Sequence, residues 1–300
     1  MYVITGATGN TGHIIAKKLL ANGQKVRAIG RAADRLQALV AEGAEPFVAD
    51  LTNEHAVTKA FNGARAVYAM IPPLVTSSAT RTYQAQVGDS IAAALAANKV
   101  PYAVTLSSVG ADKPDKVGPV VALHDLEQKL DQIAGLTVLH LRPGYFMENT
   151  LAQVGAIQAM GATAGVLRPD LKIPMIAARD IAEVAAAKLL KLDFQPKQTL
   201  ELHGQRDLTM VEVATIIGKA IGKPGLPYVQ LSDDQFRGAL TQMGMSVDFA
   251  NLLLEMSASM NSGYMRMLEP RSPINTTPTS YEVFVAEQFV PAFQGASRAA

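Results

Sequence analysis

Cysteine is absent from the chain, and with it go a disulfide framework, a zinc-thiolate site and a thiolate nucleophile. That absence leans only weakly towards a reducing compartment. Charge of one sign is also lacking: 27 Lys and Arg face 26 Asp and Glu, for a formal net charge of +1, and no long like-charge block occurs. Nucleic-acid binding needs a clustered basic face, so this balance argues against it. No uninterrupted apolar run reaches the roughly 18–20 residues of a membrane span. The opening Met1-Tyr2-Val3-Ile4 runs straight into a strand, without the basic start and apolar core of a signal peptide. The expectation is a cytoplasmic protein with no membrane partner. His13, His55, His124, His140 and His203 show no His-x-x-x-His or clustered carboxylate spacing, so no metal site is expected. A Gly-x-Ser-x-Gly elbow is missing too, which removes the common hydrolase signature.

What is present is apolar content, 49% against 18% charged, over 300 residues. That supports a sizeable core and either one domain with an annex or two domains. In the first half, short β-like runs alternate with helical patterns. Strands are predicted at 2–5, 25–29, 46–49, 66–70, 102–107 and 136–141. Helices are predicted at 11–21, 34–41, 82–97 and 121–133. Asp34 with Gln37 three residues on has the form of a capping box. Such alternation builds right-handed βαβ units and a doubly wound parallel sheet covered on both faces. After Arg142-Pro143-Gly144 the pattern turns irregular through 152–165, with a helix over 179–191 and a strand over 199–202. Capping boxes are predicted at Thr209 with Glu212, Ser232 with Gln235, and Thr279 with Glu282. Gly222 stands where a helix C′ glycine belongs.

The strongest motif is Thr5-Gly6-Ala7-Thr8-Gly9-Asn10-Thr11-Gly12, after the first strand and opening the first helix. Gly6 permits the tight turn, Gly9 lets backbone N–H groups approach a pyrophosphate, and Gly12 lets the helix pack close to the strand. The spacing is G-x-x-G-x-x-G, and a turn that binds nothing is the structural alternative. In strand–turn–helix context it predicts a Rossmann-type α/β fold. Residues 1–150 then form the nucleotide-binding domain, with 176–192 packing back onto it. Residues 151–300 form a smaller, mainly helical, substrate-side lobe.

The choice of nucleotide is read about 20 residues after the turn, at the end of the second strand. Ala28-Ile29-Gly30-Arg31 lacks the acid that would hold a ribose 2′-hydroxyl. Arg31 is available to pair with a 2′-phosphate, with Arg35 one helical turn on, so NADP(H) is favoured over NAD(H). The alternative is a solvated surface arginine. Asp50 ends the third strand, where its carboxylate can accept from the adenine amino group while Leu51 covers the ring; it can equally cap the next helix. Ile71 and Pro72 lie at the carboxyl end of the fourth strand, where ligands bind in open α/β sheets. Ser107 ends the fifth, where its hydroxyl reaches towards the nicotinamide or caps a loop.

The glycine turn, Arg31, Asp50, Leu106-Ser107-Ser108, the run Arg142-Pro143-Gly144-Tyr145-Phe146-Met147-Glu148-Asn149 and the tail Asn275-Thr276-Thr277-Pro278-Thr279 together resemble the NmrA-like family. Its members are atypical short-chain dehydrogenases/reductases. The resemblance spans nearly the whole chain and implies a Rossmann domain with a smaller lobe closing a cleft over the nicotinamide. It adds Pro143 and Tyr145 to the cofactor-binding candidates, which are Gly6, Thr8, Gly9, Asn10, Thr11, Gly12, Arg31, Asp50, Leu51, Ile71, Pro72 and Ser107. The Tyr-x-x-x-Lys of typical superfamily reductases is missing, since no tyrosine has Lys four residues later. His124 stands where some atypical relatives carry a lysine, and is the catalytic candidate: it contacts the nicotinamide ribose, protonates a product, or is structural.

Two functions follow from the resemblance. One is NAD(P)H-dependent reduction of a quinone-like or other conjugated, electron-poor small molecule by direct hydride transfer. Such acceptors need little general acid help. The other is a non-catalytic NADP(H)-sensing regulator acting through a protein partner. A homodimer is left open. The stretch Met243, Met245, Met256, Met260, Met265 and Met267 either lines a plastic apolar pocket or belongs to the core.

Overall fold

The computed structural model describes residues 1–299. Strands β1 (Tyr2–Ile4), β2 (Val26–Gly30), β3 (Glu45–Val48), β4 (Ala66–Ala69), β5 (Tyr102–Leu106) and β6 (Thr137–Pro143) come from the first half. Short strands β7 (Tyr145–Phe146), β8 (Thr163–Gly165) and β9 (Ile173–Ile176) precede β10 (Gln198–Leu202), and β11 (Asp207–Leu208) and β12 (Tyr228–Gln230) follow it. Seven of them make one sheet in the order β10-β6-β5-β4-β1-β2-β3, with every pair parallel. The chain reverses its winding between β1 and β4, and that switch point is where open α/β sheets hold their ligands.

The helices of the first half are α1 (Gly12–Ala21), α2 (Gln37–Ala41), α3 (Glu54–Ala60), α4 (Thr80–Ala97) and α5 (Val121–Asp131). Helices α6 (Gln153–Met160), α7 (Ala178–Lys191), α8 (Met210–Ala220), α9 (Asp233–Gln242), α10 (Val247–Ser262), α11 (Tyr281–Phe284) and α12 (Val290–Ala299) belong to the second. The sheet residues alternate between two cores, as a period of two requires. Tyr2, Ile4, Ala66 and Tyr68 pack with α1 and α7, through Ile15, Leu19, Ile181 and Leu189. Val3, Val67, Ala103 and Val138 face α3, α4 and α5, through Val57, Ile91 and Leu126. The fold is thus the doubly wound Rossmann-type sheet, with α7 and β10 supplied to that layer by the second half of the chain.

The remaining C-terminal elements gather round a third core containing Met147, Ile173, Val213, Tyr281, Phe284 and Phe289. This lobe is clipped to the sheet layer near the start of α4. The Asp248 carboxylate accepts from the Thr80 amide at 2.8 Å, and the Ser246 hydroxyl donates to the Ser77 carbonyl at 2.5 Å. No helix among the described residues is long and apolar enough to cross a membrane.

The predicted boxes at Thr209 and Ser232 form as reciprocal pairs, and Gly222 takes φ +73° just past α8. Two others do not form. Asp34 opens a 3-10 turn, Asp34–Leu36, without a side-chain cap, and the helix proper starts at Gln37. Gln37 instead donates to the Ala33 carbonyl at 3.4 Å. Ser280, not Thr279, caps α11 by accepting from the Val283 amide. Thr279 is buried and committed to Asp180, its hydroxyl donating at 2.7 Å and its amide at 3.0 Å. The tertiary carboxylate outcompetes the local pattern. The stretch expected to be irregular holds α6 and β8.

Candidate functional site

The turn between β1 and α1 is shaped by its glycines. Gly6 sits at φ +60°, a conformation that L side chains rarely adopt. A Cβ on Gly12 would collide with the Gly6 carbonyl, whereas one on Gly9 would meet only that carbonyl oxygen, at 3.3 Å, and otherwise project into open space. Gly9 is therefore a glycine that folding tolerates changing and a ligand would not. The Gly9 amide donates back to Gly6 at 2.9 Å, while neither Thr8 nor Asn10 makes a hydrogen bond among the described residues. Helix α1 begins without a capping side chain and without an acidic residue in its first turn. The His13 amide donates to the Gly9 carbonyl at 3.1 Å, and the other first-turn amides, with the partial positive charge, are left for an outside anion. This chemistry fits the phosphates of a dinucleotide. Thr11 departs from the expected pattern: its hydroxyl is buried and accepts from Tyr68 at 2.9 Å, so only its backbone remains to be offered.

Along the carboxyl edge of β2 and β3, Arg31 is exposed and makes no hydrogen bond or ion pair among the described residues. Asp50 is exposed beside it, its Oδ1 accepting from the Thr52 amide at 2.9 Å and hydroxyl at 2.8 Å. The Thr52 amide and hydroxyl, with Arg31 nearby, hold the Asp50 carboxyl below the usual carboxylate range. The helix cap that Asp50 could have supplied comes from Asn53, which accepts from Ala56. Tyr83 on α4, missed in the sequence, also stands within the field of Arg31 and Asp50, and burial raises its phenol. Leu51 and Ile71 are buried and Pro72 half-buried.

Ser107 corrects an expectation. Its hydroxyl is buried and donates to Glu127 of α5, whose carboxylate is gripped by Arg142 from the end of β6. The hydroxyl expected to reach the nicotinamide side is thus a member of an internal polar cluster. Pro143 is buried at the end of β6, with its carbonyl accepting from Val109 at 3.0 Å. His124, in the first turn of α5, is half-buried, and its Nδ1 lies 2.9 Å from the Ala111 carbonyl. Donation there leaves Nε2 as the ring's free nitrogen among the described contacts.

Two cavities meet near Glu148. One, of about 330 Å³, is lined by Thr8, Gly9 and Asn10 of the turn and closed by Glu148, Arg179 and Gln288. The other, of about 450 Å³, lies under the C-terminal lobe and is lined by Tyr145, Glu148, Phe236, Phe249, Met256 and Met260 among others. His124 is not in its lining. Met245 also lines it, whereas Met243 is 57% exposed and Met265 packs against Val109, Ala111 and Val117. The methionine stretch thus divides between pocket, surface and core. Glu148 accepts from the Ala178 amide at 3.0 Å, fastening this wall to the start of α7. Burial pushes its carboxyl up and pushes the Tyr145 phenol up to about 12. Of the aromatic lining, Phe236 lies in α9, whose Ser232 cap was predicted, Phe249 in α10, capped by Ser246, and Tyr145 in β7, but nothing local says which face of α9 or α10 encloses space.

The chain is 28% identical over 267 residues to an NAD(P)H azoreductase of Xenophilus azovorans, covering 88% of this chain and 89% of that one. It is 29% identical over 265 residues to quinone oxidoreductase 2 of Escherichia coli, covering 88% and 89%. Among solved structures, the NADPH-dependent quinone oxidoreductase of Escherichia coli complexed with NADPH superposes with a TM-score of 0.80 at 26% identity. That match covers 96% of this chain and all of the other, 100%. The model of the NmrA-like family matches residues 2–279, and the chain belongs to that family.

Proposed function

We propose that this protein is an NAD(P)H-dependent reductase of quinone-like or other conjugated, electron-poor small molecules, with NADP(H) preferred over NAD(H). The observation that carries the reading is the shared wall at Glu148. It joins a cavity at the glycine turn to an apolar cavity large enough for an aromatic ring system. The names of the two relatives, an azoreductase and a quinone oxidoreductase, support the same acceptor class.

When bound, the nicotinamide supplies the hydride. The protein's part is to hold and to exclude. The turn amides of Thr8 and Asn10 and the open end of α1 bind phosphate, and Gly9 leaves room for it. Arg31 is the free cation at the end of β2, suited to a 2′-phosphate. Tyr145, Phe236, Phe249 and the flexible methionines hold a flat acceptor and keep water out. No Tyr-x-x-x-Lys acid is present, and His124 lies outside the cavity, which supports a substrate that accepts hydride without strong proton donation. His124 lines neither cavity, and its proposed role, contact with the nicotinamide ribose, rests on the family resemblance.

The test is consumption of NADPH and NADH against a panel of quinones, azo dyes and simple ketones, measured beside nucleotide binding. Turnover with the conjugated acceptors and none with ketones is expected. Tight nucleotide binding with no turnover of any acceptor would overturn the reductase and leave the nucleotide sensor.

A further inference from the structure

The cavity of about 450 Å³ has no Lys, Arg or His in its lining, and Glu148 is its one carboxylate. Its other polar groups are largely spent on the protein. Gln153 accepts from the Ala164 amide at 2.8 Å and donates to the Ala164 carbonyl at 3.0 Å. Thr163 donates to Pro227 at 3.2 Å and Ser257 to Leu253 at 2.8 Å. Cations close to the lining in sequence are neutralised nearby: Arg168 by Asp170, Arg179 by Glu287 and Arg237 by Asp234. A separate cavity of about 240 Å³, on the far side of Tyr145 and Met260, does hold Lys172, His203 and Arg266.

Resting on the reductase reading, we propose that the larger cavity selects its acceptor by charge. It admits uncharged and cationic aromatic molecules and rejects anionic ones, with Glu148 as the residue that sets the sign. An anion entering would lose its hydration and find no counter-charge, and a buried unpaired charge is among the costliest arrangements in a protein. Glu148 accepts from the Ala178 amide through both oxygens and stands in the field of Arg179, contacts that favour its ionised form against burial; once ionised, it adds repulsion in a medium that screens weakly. A cation meets that carboxylate and the ring faces of Tyr145, Phe236 and Phe249, each a site for cation–π attraction. A neutral ring system meets only apolar surface and gains by leaving water.

The probe is a set of three azobenzene dyes with one chromophore and a neutral, a trimethylammonium or a sulfonate substituent. They are titrated by absorbance into the protein saturated with NADP⁺, so that binding is read without turnover. The neutral and cationic dyes should bind, and the sulfonate should bind at least about tenfold more weakly, the size of one modest charge interaction. Glu148→Gln should weaken the cationic dye several-fold and leave the neutral dye within about twofold. Because Glu148 also fastens α7, a second variant works from the opposite side. Asn149→Lys, at an exposed position in the lining, should strengthen the sulfonate and weaken the cation. Equal affinity for all three dyes in the parent protein would overturn the proposal. So would an Asn149→Lys protein with the parent's order, or no binding of the neutral dye. Sulfonate binding that disappears in Arg266→Ala while the neutral dye still binds would place anions in the neighbouring cavity and overturn it as well. Adding NADPH to the same samples tests the reductase separately: dyes that bind in the expected order but are never reduced would sink that reading and leave the charge selection standing.

Discussion

Arg142, at the end of β6, grips Glu127 of α5 with two donors, Nε at 3.0 Å and Nη2 on the other carboxylate oxygen. Both side chains are largely out of solvent, 12% and 4% exposed, and Ser107 donates to the same carboxylate. The pair ties the last central strand to the helix that carries His124. Removing one partner of a buried pair leaves the other uncompensated, at a cost of about 3–5 kcal/mol. Arg142→Ala should therefore show a large fall in urea midpoint at unchanged slope, and Arg142→Lys, lacking the planar fork, a smaller one. A change below about 1 kcal/mol, the worth of an exposed pair, would mean that the pair is hydrated.

The glycine turn predicts opposite outcomes at two positions. Gly9→Val should stay folded, because its Cβ would meet only the Gly6 carbonyl oxygen, at 3.3 Å, yet lose nucleotide binding. Gly12→Ala should fold poorly, because its Cβ collides with the Gly6 carbonyl. Calorimetric NADPH affinity equal to the parent's in Gly9→Val would make the turn purely structural.

Arg31→Ala should weaken NADPH by roughly 1.5–3 kcal/mol, the worth of a charge-assisted hydrogen bond, and barely alter NADH. An equal loss for both nucleotides would show that Arg31 serves something common to them.

His124→Ala should lower turnover by less than the roughly 10²–10⁴-fold of a positioned general acid, with the effect appearing in the cofactor KM. A larger loss confined to kcat would make the ring an obligatory proton donor.

Glu201 on β10 supplies a pH test. Burial raises its carboxyl against the bonds from the Glu269 and Leu268 amides, and Oε1 has no partner among the described residues. A folded-state pKa above the unfolded one means that the native protein holds the proton longer. Its contribution to stability is complete below the unfolded pKa and is lost as pH rises through the raised value. Glu201→Gln should thus gain stability relative to the parent as pH is raised from acid towards neutrality. A constant difference across that range would contradict the shift.

The part of the site legible in the sequence is the part whose function is written in backbone. Gly6, Gly9 and Gly12 follow a strand and open a helix, so their spacing carries its own geometry. Side-chain direction was less legible. Ser107 and Thr11 are hydroxyls at the right ends of the right elements, but burial turns one to Glu127 and the other to Tyr68. Thr279 has the local pattern of a cap, but Asp180, a partner ninety-nine residues away in sequence, takes it. The apolar cavity is the extreme case. Tyr145, Phe236 and Met256 meet only after the lobe has packed, and a methionine at helical spacing reads the same whether it faces core or space.

Reductase activity is read by mixing the protein with NADPH and a neutral quinone in the absence of oxygen and following the nicotinamide absorbance. Rapid, stoichiometric loss of NADPH is expected in the parent protein and none above background in Gly9→Val. An unchanged absorbance in the parent, with NADPH shown by calorimetry to be bound, would contradict the reductase reading.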